Sequence, residues 1–275
     1  MHKFTGHNIA LSNGEKTMGD STILLAESNF WKSIKKTVEL FYPNTPHENA
    51  KIKVVDLGCL EGGYAVEFAK MGFDTLGIEV RQDNIDKCTY VKENLNLNNL
   101  NFAKDDVRNL KKYGRFDITL CYGLLYHLDN PVEYLRTIFE NTNKLLILHT
   151  HYSIDHDFRY NLGFLNKLYR PIEKKIKFLN RKRNFNLGKI TYNEGYRGRW
   201  YKEWGPKAEK SKVDKLLWSS YVNNKSFWLV KKELTKALYD VGFDHVFEQS
   251  NFTGDLALDN YSEYFDRSMF IAFKK

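Results

Sequence analysis

Three cysteines in 275 residues, Cys59, Cys88 and Cys121, stand 29 and 33 positions apart, and their number is odd. That spacing builds neither a disulfide framework nor a CxxC zinc site, and it points to a reducing, cytoplasmic setting. Apolar runs are short as well. None approaches the roughly 18 residues that a membrane span needs, and the opening MHKFTGHNIALSNGEK lacks the apolar centre of a signal peptide. Secretion and membrane spanning are therefore not expected. Neither is a repeat architecture, since no internal repeat or low-complexity tract occurs. The length suffices for one large domain with an embedded insertion or for two small ones, with a core that needs no disulfide or metal staples.

Charge is present but unevenly placed, with 42 basic residues against 34 acidic ones. Nine of the basic residues fall between Lys167 and Lys189 beside a single acid, Glu173, so this window holds the whole net excess of +8. An anionic partner is expected to be met there, either the phosphate of a phosphorylated or nucleotide-linked sugar or that of RNA. A solvated helix face is the plainer reading of the same run.

From 52 to 150 the chain alternates short apolar runs with segments of helical period. IKVVDL, TLGIEV, NFAK, FDITLCYG and KLLILHT read as strands, with helices over 63–72, 83–98 and 131–142 between them. Continuous apolar strands separated by helices predict a parallel sheet covered on both faces. Residues 161–183 carry Leu165, Leu168, Ile172, Ile176 and Leu179 at helical spacing, and 192–228 hold nine aromatics, four of them tryptophan. The organisation expected is an N-terminal cap (1–50), a ligand-binding core (51–150), a substrate-binding insertion (151–226) and a returning core segment (227–275) whose helix closes at Gly242.

The sharpest motif is Val54-Val55-Asp56-Leu57-Gly58-Cys59-Leu60-Glu61-Gly62-Gly63, a glycine-rich loop between a strand and a helix. Such a loop brings backbone N–H groups and a helix N-terminus to the carboxyl edge of the sheet. A dinucleotide fold would want glycine at position 60, where Leu60 stands, and the carboxylate of Asp56 opposes a pyrophosphate but suits a positively charged ligand. Glu79 ends the next strand, placed to accept both hydroxyls of a ribose. Asp105-Asp106-Val107 follows the third strand, and Asp106 is the residue expected to accept from an adenine amino group. Ribose, adenine and a cationic group together describe S-adenosylmethionine.

With these four motifs in order, the sequence resembles the class I S-adenosylmethionine-dependent methyltransferases. DLGCLEGG stands as the family's first motif, Glu79 as its ribose acid, DDV as its adenine turn and FDITLCYGLLYHLDNP as its fourth strand and following loop. The resemblance implies an α/β fold: a Rossmann-like, doubly wound seven-stranded sheet with an antiparallel terminal hairpin, joined here by the N-terminal helical cap and an α-rich insertion after strand five. It implies cofactor contacts from Asp56, Gly58, Cys59, Gly62, Glu79, Val80, Asp106, Val107 and Tyr122, with S-adenosylhomocysteine as product. GLLYHLDNP and HNIALSNGEKTMGD are similar to a bacterial subgroup that includes sugar and small-molecule O-methyltransferases and the tRNA wobble-uridine carboxymethyltransferase, and GYRGRWY and SFWLVKKEL resemble the small-molecule members.

Methyl transfer to oxygen needs a positioned hydroxyl and a base that can take its proton. His151, with Asp155 to orient it, is the first choice for that base, and His127 the second, its plainer role being to fix the loop after strand four. Tyr126, His149, Arg197, Arg199 and Trp200 are the expected acceptor contacts, the arginines as forks for carboxylate or phosphate and the aromatics as platforms for a sugar face. The aromatic stretch has a plainer role as the insertion's own core. His149, His151, Asp155 and His156 also permit a divalent metal, which is not expected because no ligand spacing is diagnostic. The reading is a cytoplasmic O-methyltransferase acting on a sugar or similar polar metabolite, as in surface polysaccharide biosynthesis. The alternatives are a tRNA-modifying transferase and a non-catalytic adenosyl-ligand sensor.

Overall fold

The computed structural model describes residues 2–20, 22–153, 155, 187–205, 208–249 and 266–275. After the single turn Leu25–Glu27 come α1 (Asn29–Phe41) and α2 (Pro46–Asn49). Ser28 caps α1 by accepting from the Trp31 amide at 3.2 Å, and Trp31, Ile34 and Val38 form its buried face. Then follow β1 (Lys53–Leu57), α3 (Gly63–Lys70), β2 (Asp74–Glu79), α4 (Gln82–Glu93), β3 (Leu100–Lys104), β4 (Phe116–Tyr122), α5 (Pro131–Asn141) and β5 (Thr142–His151). These fall where the sequence periodicity places them, except that α4 ends at Glu93, short of the expected 98.

Beyond β5 the described chain forms β6 (Leu187–Asn193), β7 (Tyr196–Lys202), a helical turn α6 (Lys210–Val213), β8 (Lys225–Leu229), α7 (Lys231–Asp240), β9 (His245–Gln249) and β10 (Arg267–Phe273). The main sheet has seven strands in the order β3-β2-β1-β4-β5-β10-β9. β1 to β5 are parallel, and β10 runs antiparallel to both β5 and β9. The order reverses between β1 and β4, so the crevice for a ligand opens at the carboxyl ends of those two strands.

Alternate residues of each strand serve opposite layers. Val54 and Ile147 pack with Trp31, Ile34 and Phe68 of α1 and α3, whereas Val55 and Leu148 pack with Leu135 and Ile138 of α5 and Leu238 of α7. Burial on both faces is why these strands read as unbroken apolar runs. At the end of α7, Gly242 takes φ of +121°, and a Cβ there would lie 2.5 Å from Phe139, so glycine closes this helix for two reasons.

Within the described residues the insertion is mostly strand rather than helix. β6, β7 and β8 form a separate antiparallel sheet, while the stretch that carried the helical spacing, 161–183, and most of the basic window lie outside the described residues. β8 contains Phe227 and Trp228, so the small sheet runs past residue 226 into the segment read as returning core. The β6–β7 hairpin turns at Glu194 and Gly195, both with positive φ. Glu194 reaches the start of α5, accepting from the Val132 amide at 3.0 Å and the Glu133 amide at 2.6 Å, where Asn130 offers no side-chain cap. Glu194→Ala is expected to cost about 0.5–2 kcal/mol, the range for a lost helix cap, read as a lower midpoint in urea with unchanged slope.

Candidate functional site

A cavity of about 440 Å³ opens at the carboxyl ends of β1 and β4. Its floor is the glycine loop. The Gly58 and Cys59 amides donate to the Ile78 carbonyl at 2.8 and 3.1 Å, folding the loop back across β2. Gly58 borders the cavity with φ of +69°, and a Cβ there would come within 3.2 Å of Leu124, which also borders it. Gly62 lies behind. It caps α3 in the left-handed region, and a Cβ would strike Phe102 at 2.7 Å, so its part is to let the loop close rather than to line the cavity. Cys59 borders the cavity, and burial pushes its thiol well above the ordinary range, which leaves it uncharged and poorly nucleophilic.

Two buried carboxylates face this space. Glu79 accepts from the Leu60, Val80 and Arg81 amides at 3.1, 2.9 and 2.8 Å; burial still raises its pKa. Asp56 is 2% exposed, and its Oδ2 is buried without a hydrogen-bond partner. Burial, with the Glu79 charge adding to it, pushes Asp56 up to about 7 against the pull of the Ala65 amide. An unsatisfied buried carboxylate beside a second one is costly on its own and is relieved by a cationic ligand. The residues present therefore fit a ligand that carries both a positive charge and hydroxyls.

At the third strand's end Asp106, Val107 and Arg108 border the cavity. Asp106 accepts from the Arg108 amide and guanidinium at 2.9 and 3.0 Å, and Arg108 also reaches Asp129 at 3.3 Å and Asn223 at 3.0 Å. Asp105 turns away. Its carboxyl is held down to about 2 by hydrogen bonds, that of Asn109 foremost, and it fastens the following turn.

At the fourth strand's end Tyr122, Gly123, Tyr126 and His127 border the cavity. His149 does not. It is fully buried, stacked on Tyr122 at 4.2 Å, and burial holds it well below the ordinary imidazole range. β5 continues through His151, which lies flat against Trp228 at 4.7 Å with the Tyr126 edge at 4.6 Å, outside the cavity. Asp155 is ion-paired with Arg197, Arg199 is fully buried and donates to the Gly188 carbonyl, and Trp200 packs on Phe227; none of these four borders the cavity. No group of three His, Cys, Asp or Glu able to hold a metal ion occurs among the described residues, and His156 lies outside them.

Three features of the site carried no sequence signal. Glu61 of the glycine loop is fully buried and accepts from the Thr5, Gly6 and His7 amides, each at 2.9 Å, and from Lys87 at 2.8 Å. This lays Gly6, His7 and Asn8 along the cavity wall. Arg81 donates to the Leu216 and Ser219 carbonyls at 3.0 and 2.7 Å, and Leu217–Val222 forms another wall. Glu203 receives Nδ1 of His127 at 2.9 Å.

A family model described as a methyltransferase domain matches residues 48–204, more than half of the chain. A ubiquinone biosynthesis O-methyltransferase of Rickettsia canadensis is 28% identical over 100 residues, 35% of this chain and 42% of that protein. A tRNA U34 carboxymethyltransferase of Sulfurovum sp. is 31% identical over 110 residues, 36% of this chain and 34% of that one. The chain thus spans less than half the length of these curated relatives. Among solved structures, the N-terminal domain of EvdMO1 with S-adenosylhomocysteine bound shares the fold at a TM-score of 0.60 and 19% identity, covering 90% of this chain and 82% of that one. The same domain in the presence of S-adenosylhomocysteine and D-fucose gives 0.62 at 18% identity, covering 98% and 90%.

Proposed function

The chain belongs to the class I methyltransferase-domain family, and from that premise we propose that it transfers a methyl group from S-adenosylmethionine to a hydroxyl of a sugar or similar polar metabolite. The observation that carries this is one cavity that has Asp56, with its unpaired Oδ2, and Glu79 at one part of its wall and Tyr126 and His127 at another. Bound S-adenosylmethionine supplies a methyl group activated by a sulfonium charge. Glu79 holds the ribose hydroxyls, Asp56 meets the positive charge, and Asp106 with Val107 flanks the adenine. Tyr126 and His127 stand where an acceptor enters, and Trp218, Ile23 and Val222 offer exposed apolar surface at the cavity's edge. A neighbour of the same fold studied with D-fucose present is in keeping with a sugar acceptor. No helix among the described residues is long and apolar enough to cross a membrane.

The test is to incubate the protein with methyl-labelled S-adenosylmethionine and nucleotide sugars, free glycosides and surface glycans. Label in a sugar hydroxyl is expected; label in none of them contradicts the acceptor class. The tRNA reading draws on the basic window and the Sulfurovum relative. It requires salt-sensitive tRNA binding that weakens when Arg181, Lys182 and Arg183 are reversed in charge, and no binding at low salt removes it.

A further inference from the structure

We propose that His127 and Glu203 form one proton-accepting unit, with His127 the base and Glu203 its positioning residue. This deepens the methyl-transfer reading and rests on it. His127 borders the cavity, and its Nδ1 lies 2.9 Å from Oε1 of Glu203. A carboxylate only accepts, so Nδ1 carries the proton and Nε2 keeps the lone pair that a ligand meets. Glu203 is itself held. Its side chain is 1% exposed, Ser226 Oγ donates to Oε1 at 2.7 Å, and the Ser220 amide donates to Oε2 at 3.0 Å.

The turn bearing His127, Leu125–His127, is fixed from the same side. Trp228 Nε1 donates to the Tyr126 carbonyl at 2.9 Å, Asn223 to the His127 carbonyl at 2.9 Å, and the Phe227 amide to the Leu128 carbonyl at 2.8 Å. Ring and backbone are both anchored by the small sheet and its loop, whereas the carboxylates of the cofactor end belong to the main sheet. The base is therefore complete only when the insertion is docked on the core, which holds it in place before an acceptor arrives.

The acceptor class follows. An acceptor that is already anionic requires no base, but a neutral hydroxyl does. As its oxygen bonds the methyl carbon, the carbon–sulfur bond breaks with its electron pair passing to sulfur, and the hydroxyl proton moves to Nε2. The imidazolium so formed is neutralised by Glu203 and later returns the proton to water.

The test is nitrogen NMR of histidine-labelled full-length protein at neutral pH, with S-adenosylhomocysteine binding measured by calorimetry on the same samples. Wild-type His127 is expected in the Nδ1–H form. In Glu203→Gln, where an amide can donate to Nδ1, the ring is expected to shift toward the Nε2–H form with cofactor affinity changed by less than about threefold, and kcat on a labelled acceptor is expected to fall at least about tenfold with KM little altered. A wild-type ring protonated on Nε2, which needs no variant to observe, overturns the unit, as does a Glu203→Gln ring with the wild-type tautomer. Either result leaves the methyltransferase reading standing. Failure of the wild type to bind S-adenosylhomocysteine removes both.

Discussion

Glu61→Ala is expected to lower Tm by on the order of 10 °C, from a loss of about 3–5 kcal/mol. The carboxylate is fully buried and holds three backbone amides, the Thr5 hydroxyl and the ammonium of Lys87, so its removal leaves a buried cation and three donors without partners. Lys87→Met is expected to cost a similar amount. The double replacement Glu61→Leu with Lys87→Met is expected to cost less than the two single losses together, because no lone charge remains. Cofactor affinity should fall with Glu61→Ala as well, since Gly6, His7 and Asn8 wall the cavity through this carboxylate. Acid has the same effect as the mutation. Burial pushes Glu61 up, but Lys87 and the amides of Gly6, His7 and Thr5 together hold it below its ordinary value, so its contribution is present above about pH 4.5 and is lost as pH falls through the folded value. Burial lowers His7 to about 4, and its Nδ1 accepts from the Gly63 amide at 2.9 Å; its contribution too is present above about 6.5 and is lost as pH falls toward 4. Acid release of the N-terminal segment, followed by hydrogen exchange at residues 5–8, checks both.

Asp56→Asn is expected to weaken S-adenosylmethionine binding on the order of 10- to 100-fold, as for the loss of a charge-assisted hydrogen bond, and to raise the stability of the ligand-free protein at pH 8. The two effects have one cause. Burial pushes Asp56 up to about 7 from an ordinary value near 4, so the fold favours its protonated form, and the ligand-free protein loses stability as pH climbs from about 4 to about 7. A cationic ligand favours the ionised form. Wild-type affinity should therefore drop by up to about tenfold for each pH unit below 7, with proton release on binding, while the Asn variant should show neither. Calorimetry at pH 5.5, 7 and 8.5 in two buffers, with a melting curve at pH 8, measures all of this.

How far such a site was legible from sequence depends on distance along the chain. The loop from Asp56 to Gly63 announces itself because one strand, one turn and one helix must carry carboxylate and glycines in a fixed order, and Glu79 lies at the end of the adjoining strand. The order and type of the core elements follow from alternation, since β1, β4 and β5 bury both faces. The acceptor side was harder. His127 and Glu203 are 76 residues apart, and nothing local to Glu203 distinguishes it from a surface acid. His151 sits near the crevice in sequence, yet β5 runs on through it, and Trp228 covers its face. Arg197, Arg199 and Trp200 have the chemistry of ligand contacts, but they lie on β7, in an Asp155 pair, against Gly188 and against Phe227. Glu61 and Lys87 lie on the loop and on α4, and only the fold brings the N-terminal amides to them.

The measurement closest to the central claim is calorimetric titration of the wild-type protein and Glu79→Ala with S-adenosylhomocysteine and, separately, with NAD. One S-adenosylhomocysteine per chain is expected for the wild type, with affinity reduced by about 1–3 kcal/mol in Glu79→Ala and no comparable binding of NAD. Tight NAD binding that survives Glu79→Ala, or no S-adenosylhomocysteine binding at all, would contradict the assignment of this cavity.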